Sequence, residues 1–554
     1  MRFALLLIGL SMPSLAQTLR QPTSSSVVDV AQTALAVYLP SIAPADSTQP
    51  GTFTSLAKAL RHPKQVKQLL LHNVSALPAD LGVFKNLESL VIEGGTLTSL
   101  PASVGKLVNL KRLRIESTKL AQLPAEIGQL SNLQSLQAAG NQLKSLPGEL
   151  GKLTNLESLN VVGNQLTAWP EQILAGLPKL TDLQRRGNLI PNLPLSPEEL
   201  LKTPVVTDLK AALANPKQVY RMALSNASEL PESLGMLTNL QQLRLDNNML
   251  AQLPASVGNL KNLQSLSVLN NQLTKLPESL GTLTNLKSLN VGVNPLQELP
   301  ASLGDLVNLQ SLEVYNCKLT KLPESLGNLT NLQTLRLSAN QLTGLPASMG
   351  KLVNLSELTL TTNKLTALPT ELGNMLNLKQ LGLSENGLSS LPAELGKLTN
   401  LKVLTLQHNQ LSQVPAELGK LTNLSTLDLG LNKLTALPEQ IGTLTSLKRL
   451  DLSGNVLTNL PESLGQLVNL KQLNLTQNQL AKLPESLGDL KNLSSLRLLD
   501  NPVQQLPESI GKLTNLRELS ANFKSLPLAE LAKLKTSLGS TLVSPLQVRG
   551  LTGL

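Results

Sequence analysis

The sequence predicts an α/β fold: a right-handed solenoid, or horseshoe, with a parallel sheet on the concave face and short helical turns on the convex face. Three observations predict it. Prolines recur every 23 residues from Pro231 to Pro507, twelve steps without a slip, and each follows a leucine except Pro415, which follows Val414. Leucine, or in some units valine, isoleucine or alanine at the last position, alternates with other residues as LxxLxL, as in a strand with one buried face. Hydrophobic content is 41% but aromatic content only 1%, so the core must be aliphatic.

The repeating unit reads LPxxLGxLxNLxxLxLxxNxLxx, and each fixed position has a physical reason. The asparagine after LxxLxL lies where the chain leaves the strand, and its amide can satisfy backbone groups inside the solenoid. LPxxLG is expected to form a short outer helical turn. We expect proline at its first helical position and glycine in a left-handed conformation just past its end. One unit cannot bury its own leucines, so neighbouring units must stack.

This period and motif identify the chain as a member of the leucine-rich repeat family over roughly residues 55–525. The LPxxLGxLxNL form resembles repeats of bacterial exported proteins and of Ras-linked scaffold proteins of plants and animals. The resemblance implies protein–protein interaction through the concave face, without catalysis.

The N-terminus predicts export. Arg2 precedes an apolar run from Phe3 to Leu10, and the small residues Ser14 and Ala16 lie at −3 and −1 of a cleavage point before Gln17. Residues 1–16 are therefore predicted to be a secretory signal peptide. The alternative is a buried N-terminal strand. The run is too short to cross a bilayer, so no membrane span is expected. We therefore expect a periplasmic, cell-surface or secreted protein, with residues 17–50 forming a flexible N-terminal segment.

Two departures from the repeat predict two blocks. Residues 55–73 (SLAKALRHPKQVKQLLLHN) align with residues 208–226 (DLKAALANPKQVYRMALSN), and atypical end repeats cap the exposed edge of a solenoid core. The predicted organisation is a first block with its own cap helix (51–194), a linker (195–207), a second block with its own cap (208–525), and a C-terminal cap helix and tail (526–554). Six strands are expected in the first block and fourteen in the second. The linker is either a hinge or a bulge in one arc.

The single cysteine, Cys317, lies where other units carry the asparagine, between Asn294 and Asn340. Cysteine is a known substitute at this position in the family, which implies a buried structural thiol. The alternative is a reactive thiol. With one cysteine in the sequence, an intramolecular disulfide is excluded.

No set of residues predicts catalysis. His62, His72 and His408 are not spaced as metal ligands, and the sequence contains no HExxH, CxxC or phosphate-binding glycine loop. We expect no enzymatic activity, no catalytic residues, no metal and no cofactor.

Candidate binding residues come from the outward positions of the strands. Stacked strands lie about 4.7 Å apart, so the second block spans roughly 60 Å, a length that suits a protein or polymer. Tyr315 is the only aromatic residue at these positions in the second block, and binding anchors are usually Trp, Tyr and Arg. The predicted site on the concave face is Arg244, Asp246, Leu269, Glu313, Tyr315, Arg336 and Glu357. Arg112, Arg114 and Glu116 form a smaller charged patch in the first block.

The net charge of +10 does not predict nucleic-acid binding, because cations are neither concentrated on the outward positions nor interleaved with aromatic residues. We expect a scaffold that binds a protein or an extended peptide. Two alternatives remain: a cell-envelope structural or adhesive protein that holds cell-surface polysaccharide, and an inhibitor or regulatory subunit of a secreted enzyme.

Overall fold

The computed structural model describes residues 50–190, 194–521 and 527. The predicted signal peptide, residues 17–49 and all but one residue of the predicted C-terminal cap and tail lie outside the described residues.

The strands form two parallel sheets in which each strand pairs with its neighbours along the chain. The seven-stranded sheet comprises β1 (Thr52–Phe53), β2 (Gln68–Val74), β3 (Ser89–Gly95), β4 (Arg112–Glu116), β5 (Ser135–Gln137), β6 (Ser158–Asn160) and β7 (Asp182–Gln184). The fifteen-stranded sheet comprises β8 (Val205–Val206), β9 (Arg221–Ala223), β10 (Gln242–Arg244), β11 (Ser265–Ser267), β12 (Ser288–Asn290), β13 (Ser311–Glu313), β14 (Thr334–Arg336), β15 (Glu357–Thr359), β16 (Gln380–Gly382), β17 (Val403–Thr405), β18 (Thr426–Asp428), β19 (Arg449–Asp451), β20 (Gln472–Asn474), β21 (Ser495–Arg497) and β22 (Glu518–Ser520).

Helices connect the strands on the convex side. The α-helices are α1 (Leu56–Arg61), α2 (Glu171–Ala175), α3 (Pro197–Leu201) and α4 (Leu209–Ala214). The 3-10 helices are Pro63–Gln65, Leu81–Val83, Ala102–Lys106, Ala125–Gln129, Gly148–Lys152, Pro216–Gln218, Glu232–Met236, Ala255–Asn259, Glu278–Thr282, Ala301–Asp305, Glu324–Asn328, Ala347–Lys351, Thr370–Asn374, Ala393–Lys397, Ala416–Lys420, Glu439–Thr443, Glu462–Gln466, Glu485–Asp489 and Glu508–Lys512.

The leucine-rich-repeat solenoid is confirmed, and each predicted strand is present. The register repeats every 23 residues, so Leu289 of β12 lies opposite Leu266 of β11 and Leu312 of β13. These alternating leucines are fully or almost fully buried. Two strands that the repeat does not predict, β1 and β8, each add a two-residue edge to the start of a sheet.

The predicted roles of proline and glycine in the outer turn are both wrong. Pro254 precedes the 3-10 helix Ala255–Asn259 as its N-cap, in an extended conformation. Gly258 lies inside that helix, outside the left-handed region. A Cβ on Gly258 would lie 2.6 Å from the carbonyl oxygen of Ser279 in the next coil. Glycine is therefore required because adjacent coils approach too closely for a side chain.

The left-handed residue lies at the other end of the strand, directly before the recurring asparagine. Asn270 has a φ of 55°, Val293 of 56° and Gly454 of 65°. Asparagine and glycine adopt this conformation readily, whereas a β-branched residue such as Val293 is strained there. The turn that leaves each strand thus depends on the coil geometry more than on the residue that occupies it.

A ladder of buried asparagines joins successive coils where the strands end. The Nδ2 of Asn294 donates to the carbonyls of Val268, Val291 and Gly292 at 2.9–3.1 Å, and its Oδ1 accepts the backbone N–H of Leu273 at 3.0 Å. One side chain thereby satisfies three carbonyls and one N–H that the turn would leave buried without partners. The predicted role of this asparagine is confirmed.

A second, exposed asparagine ladder runs along the opposite edge, where the strands begin. The side chain of Asn308 donates to the carbonyl of Thr284 at 2.8 Å, and that of Asn331 donates to the carbonyl of Val307 at 2.9 Å. These are the asparagines of LxNL, so hydrogen bonds from side-chain amides tie most coils to the previous one at both edges of the sheet.

Cys317 is buried in the first ladder, as predicted. Its thiol lies 3.6 Å from the carbonyl oxygen of Val291 and 3.5 Å from that of Tyr315. Burial raises the pKa of the thiol, so the group stays protonated and is a poor nucleophile. A thiol is a weaker donor and acceptor than an amide, which makes this the weakest step of the ladder between Asn248 and Asn501.

The two blocks are packed against each other. Tyr220 is buried with Ile190, Leu195 and Leu200 in the core of the seven-stranded sheet. Gln241 exchanges two hydrogen bonds with the backbone of Leu195, at 2.9 and 3.1 Å. The segment predicted as a linker contains α3 and β8 and supplies part of this buried junction.

We predict that Cys317→Asn raises the free energy of unfolding by about 1 kcal/mol, because a full amide replaces a weak donor and acceptor. Chemical denaturation measures the change. Cys317→Ala is the matched control and is expected to lower stability. Equal stability of the two variants would contradict the role assigned to the ladder.

We predict that Gly258→Ala lowers the free energy of unfolding by roughly 1–3 kcal/mol, because its methyl group would push adjacent coils apart. Gly344→Ala is the control, since no atom lies within 4 Å of its Cβ position. A Gly258→Ala protein as stable as the control would show that close coil packing does not explain the glycine.

Candidate functional site

The seven predicted site residues lie on β10–β15 or just past the ends of these strands, but the structure divides them into two groups. The register pairs Glu313 of β13 with Arg336 of the neighbouring strand β14. Arg244, Asp246 and Leu269 form the first group; Glu313, Tyr315, Arg336 and Glu357 form the second.

The first group borders a depression in the concave sheet with a volume of about 380 Å³. The Arg244 side chain is 75% exposed and its Nε lies 3.6 Å from Asp246. Asp246 is fixed in place because its Oδ1 accepts the hydroxyl of Ser267 and, at 3.1 Å, the backbone N–H of Leu269. The guanidinium of Arg244 therefore remains largely available to a ligand, next to the half-buried side chain of Leu269.

Arg221 and Asn290 are among the residues that line this depression but were not among the predicted site residues. Arg221 lies on β9, in the cap that departs from the repeat, and Asn290 lies on β12. The Arg221 guanidinium is held by Gln242 at 3.0 Å and by the carbonyl of Thr203 at 3.2 Å. The register of β9 with β10 would have aligned Arg221 with Gln242, but the altered spacing in the cap hides that alignment.

The second group is an ion-paired cluster beside a tyrosine. Arg336 lies 3.0 Å from Glu357 and 3.4 Å from Glu313. The hydrogen bond that the Arg336 guanidinium donates to Glu357 raises the pKa of Arg336, so its charge is held by two carboxylates. The Tyr315 ring lies over Gly292, where a Cβ would approach a ring carbon to 2.9 Å. The glycine thus leaves room for a tyrosine ring that lies along the sheet.

The smaller patch of the first block is also ion-paired. Arg114 lies 3.2 Å from Glu93 and 2.7 Å from Glu116, whereas Arg112 is exposed. Among the arginines of the predicted site and of this patch, Arg112 and Arg244 are exposed, whereas Arg114 and Arg336 are partly buried.

Two aspartates lie opposite each other farther along the concave face. Asp428 of β18 pairs in register with Asp451 of β19. Burial and then the nearby Asp451 carboxylate raise the pKa of Asp428, against a hydrogen bond from the Gly430 N–H that lowers it. Carboxylates directly opposite each other on neighbouring strands disfavour the charged form of Asp428 in the folded sheet.

Within residues 50–190 and 194–521, no group of three or more His, Cys, Asp or Glu side chains is arranged to hold a metal ion. His62, His72 and His408 are all exposed. The same described part of the chain contains no helix with the length and apolar character needed to cross a bilayer.

A family model described as a leucine-rich repeat region matches residues 57–187, 297–406, 367–459 and 458–541. No curated protein matches the chain in sequence. Among solved structures, a leucine-rich repeat protein of Leptospira interrogans is 30% identical, with a TM-score of 0.50, and the match covers 88% of this chain and 98% of that one.

The ectodomain of the Arabidopsis receptor kinase HAESA, solved in complex with an N-terminally extended form of the peptide hormone IDA, is 31% identical with a TM-score of 0.47. The match covers 84% of this chain and 80% of that one. An internalin of Listeria monocytogenes is 25% identical with a TM-score of 0.45, and the match covers 58% of this chain and 86% of that one.

We predict that Asp428→Asn raises the free energy of unfolding at neutral pH by up to about 1 kcal/mol, because it removes one of two like charges directly opposite each other. The folded state raises the pKa of Asp428, so wild-type protein regains stability as pH falls through that pKa toward the ordinary value near 4.

Denaturation at a series of pH values measures this difference. The gap between variant and wild type should close in acid. A gap that stays constant from neutral to acid pH would contradict the charge repulsion. Asp246→Asn is not a suitable control, because Asp246 accepts hydrogen bonds from a hydroxyl and an N–H in the candidate site. Asp305→Asn is the control, because Asp305 is exposed at the end of an outer 3-10 helix and its replacement changes the net charge equally.

Proposed function

The chain belongs to the leucine-rich repeat family, and from that premise we propose that it is a non-catalytic scaffold that binds a protein or an extended peptide on the concave sheet. We further propose that it is exported, on the strength of the signal-peptide pattern in residues 1–16.

The observation that carries the proposal is the composition of the surface over β10–β15. An exposed guanidinium at Arg244, an apolar side chain at Leu269 and an aromatic ring at Tyr315 lie on one face of the sheet, separated by polar side chains such as Asn290. Arginine and tyrosine are the side chains that most often dominate binding energy at protein interfaces. The depression beside Arg244 gives one of these anchors a recess in which to hold a partner side chain.

The dimensions favour an extended partner over a small molecule. Five steps between six strands span roughly 24 Å, the length of about seven extended residues. The recess of about 380 Å³ is open and polar, whereas small-molecule sites are enclosed and mostly apolar. The ion pairs of Arg336 preorganise the centre of the surface, so a partner meets fixed charges.

We expect Arg244→Ala and Tyr315→Ala each to weaken partner binding roughly tenfold or more, because each removes an anchor side chain. The full chain is used to capture partners from an extract of the cell envelope, and affinity for each purified partner is then measured by calorimetry. Arg112→Ala is the control, because it removes an exposed arginine from the other sheet. Thermal unfolding checks that each variant remains folded.

Loss of affinity in the two variants but not in the control supports the proposal. A partner that binds all three variants as tightly as the wild type would overturn the assignment of the site to β10–β15. Turnover of a captured molecule by the purified chain would overturn the non-catalytic role.

A further inference from the structure

A single-file column of cations lies along the edge at which the strands of the larger sheet begin. Each column residue directly precedes a strand, and consecutive members are joined by backbone hydrogen bonds of 2.8–2.9 Å from the N–H of one to the carbonyl of the one before. We call it the edge column; its members, in order, are Lys379, Lys402, Ser425, Lys448, Lys471, Ser494 and Arg517. Five of seven adjacent coils therefore present a cation at the same point.

The cations of the edge column are exposed and form no ion pair with a described carboxylate. All five are exposed to solvent, and none has a carboxylate within salt-bridge distance among the described residues. These cations repeat at the spacing of the coils, so their electrostatic potentials add along one line.

The immediate surroundings add to the positive charge. The positions 376, 377, 379 and 380, with their equivalents every 23 residues as far as 518, hold seven cations and one carboxylate. The cations are Lys379, Lys402, Lys448, Arg449, Lys471, Lys491 and Arg517. The carboxylate, Glu518, is engaged by Arg497 at 3.0 Å. This edge is therefore strongly basic, although the concave face beside it is not.

An amide-lined groove leads into the column from the preceding coils. Its volume is about 490 Å³, and it is lined by Gln310, Asn331, Gln333, Asn354, Ser356, Asn377 and Lys379. The Nδ2 groups of Asn331 and Asn354 are used in the exposed ladder, at 2.9 Å each, which fixes these side chains along the groove. Side-chain amides can donate to and accept from hydroxyl groups. Lys379 belongs to both features, so groove and column form one continuous strip.

We propose that this strip binds an anionic polysaccharide, with the amides of the groove contacting sugar hydroxyls and the cations of the edge column pairing with carboxylate or sulfate groups. Adjacent coils lie about 4.8 Å apart, close to the length of one sugar unit in an extended chain. A linear polyanion with a charge on most units would meet a cation on most coils.

The absence of aromatic side chains favours a polysaccharide over a nucleic acid. Residues 316–521 contain no Phe, Trp or Tyr, and single-stranded nucleic acids are held largely by stacking of bases on aromatic rings. The single-file arrangement also favours a linear polymer over a lipid surface, which would be contacted by a broad patch.

The strip is separate from the site proposed for the peptide or protein. It lies where the strands begin, whereas Arg244, Leu269 and Tyr315 project from the sheet surface or lie just past the ends of their strands. The two surfaces could thus be occupied at once, with polysaccharide holding the scaffold in place while the concave sheet binds its partner.

The test is binding of the full chain to polygalacturonic acid, measured by calorimetry near physiological ionic strength. The strip variant combines Lys379→Gln, Lys402→Gln, Lys448→Gln and Lys471→Gln. The control combines Lys318→Gln, Lys364→Gln, Lys433→Gln and Lys482→Gln, which remove the same charge from exposed lysines at the opposite edge. Polyglutamate, phosphatidylglycerol vesicles and a single-stranded oligonucleotide serve as comparison ligands.

We expect roughly tenfold or greater loss of polygalacturonate affinity in the strip variant, with little change in the control, because the contacts are local and not a response to net charge. Arg244→Ala should leave this affinity unchanged.

Three results would overturn the proposal: no binding by wild type, equal losses in strip variant and control, or tighter binding of any comparison ligand than of polygalacturonate. No binding by wild type would show that the strip is not a site for this polymer. Equal losses in both variants would show that binding depends only on net charge. Tighter binding of a comparison ligand would assign the strip to another class of partner.

Discussion

The stacking of 23-residue coils is the constraint on which the rest of the structure depends, and two kinds of contact fix it. Buried amides such as Asn294 bond the backbone of two coils at once, and an exposed amide ladder bonds the backbone of the preceding coil at the opposite edge. Glycines such as Gly258 let the outer turns approach to distances that a Cβ would prevent. With the coils held at both edges and on the convex side, each strand can present its outward residues at a constant spacing.

That constancy explains why both proposed surfaces exist. A residue at a given position of the repeat forms a column in space, so any bias in the sequence at that position becomes a linear feature of the surface. The edge column arises because lysine or arginine recurs directly before the strand in five of seven coils. The concave site arises where tyrosine, arginine and leucine interrupt an otherwise polar face. The coil supplies geometry, and the variable positions supply chemistry.

The sequence predicts the repeat, the strands, the buried leucines and the place of Cys317, because each follows from a period and an alternation that any stacked coil must satisfy. The sequence does not predict why Gly258 must be glycine. The reason is that its backbone approaches the next coil closely, and this contact leaves no signal in the local sequence. Nor does the sequence predict that Arg336 is neutralised by two glutamates while Arg244 is largely open. The 23-residue period alone aligns equivalent positions of successive coils in one column. The cations at positions 379, 402, 448, 471 and 517 could therefore have been grouped from the sequence.

The most direct test of the central claim is amide hydrogen exchange at the leucines whose N–H groups donate to the buried ladder. Leu273, Leu388 and Leu434 donate to asparagine Oδ1 atoms at 3.0 Å, outside any strand. If the ladder locks the coils together, these amides exchange as slowly as the strand amides beside them, through cooperative opening. Exchange at the rate of exposed loop amides would show that the coils are held by leucine packing alone.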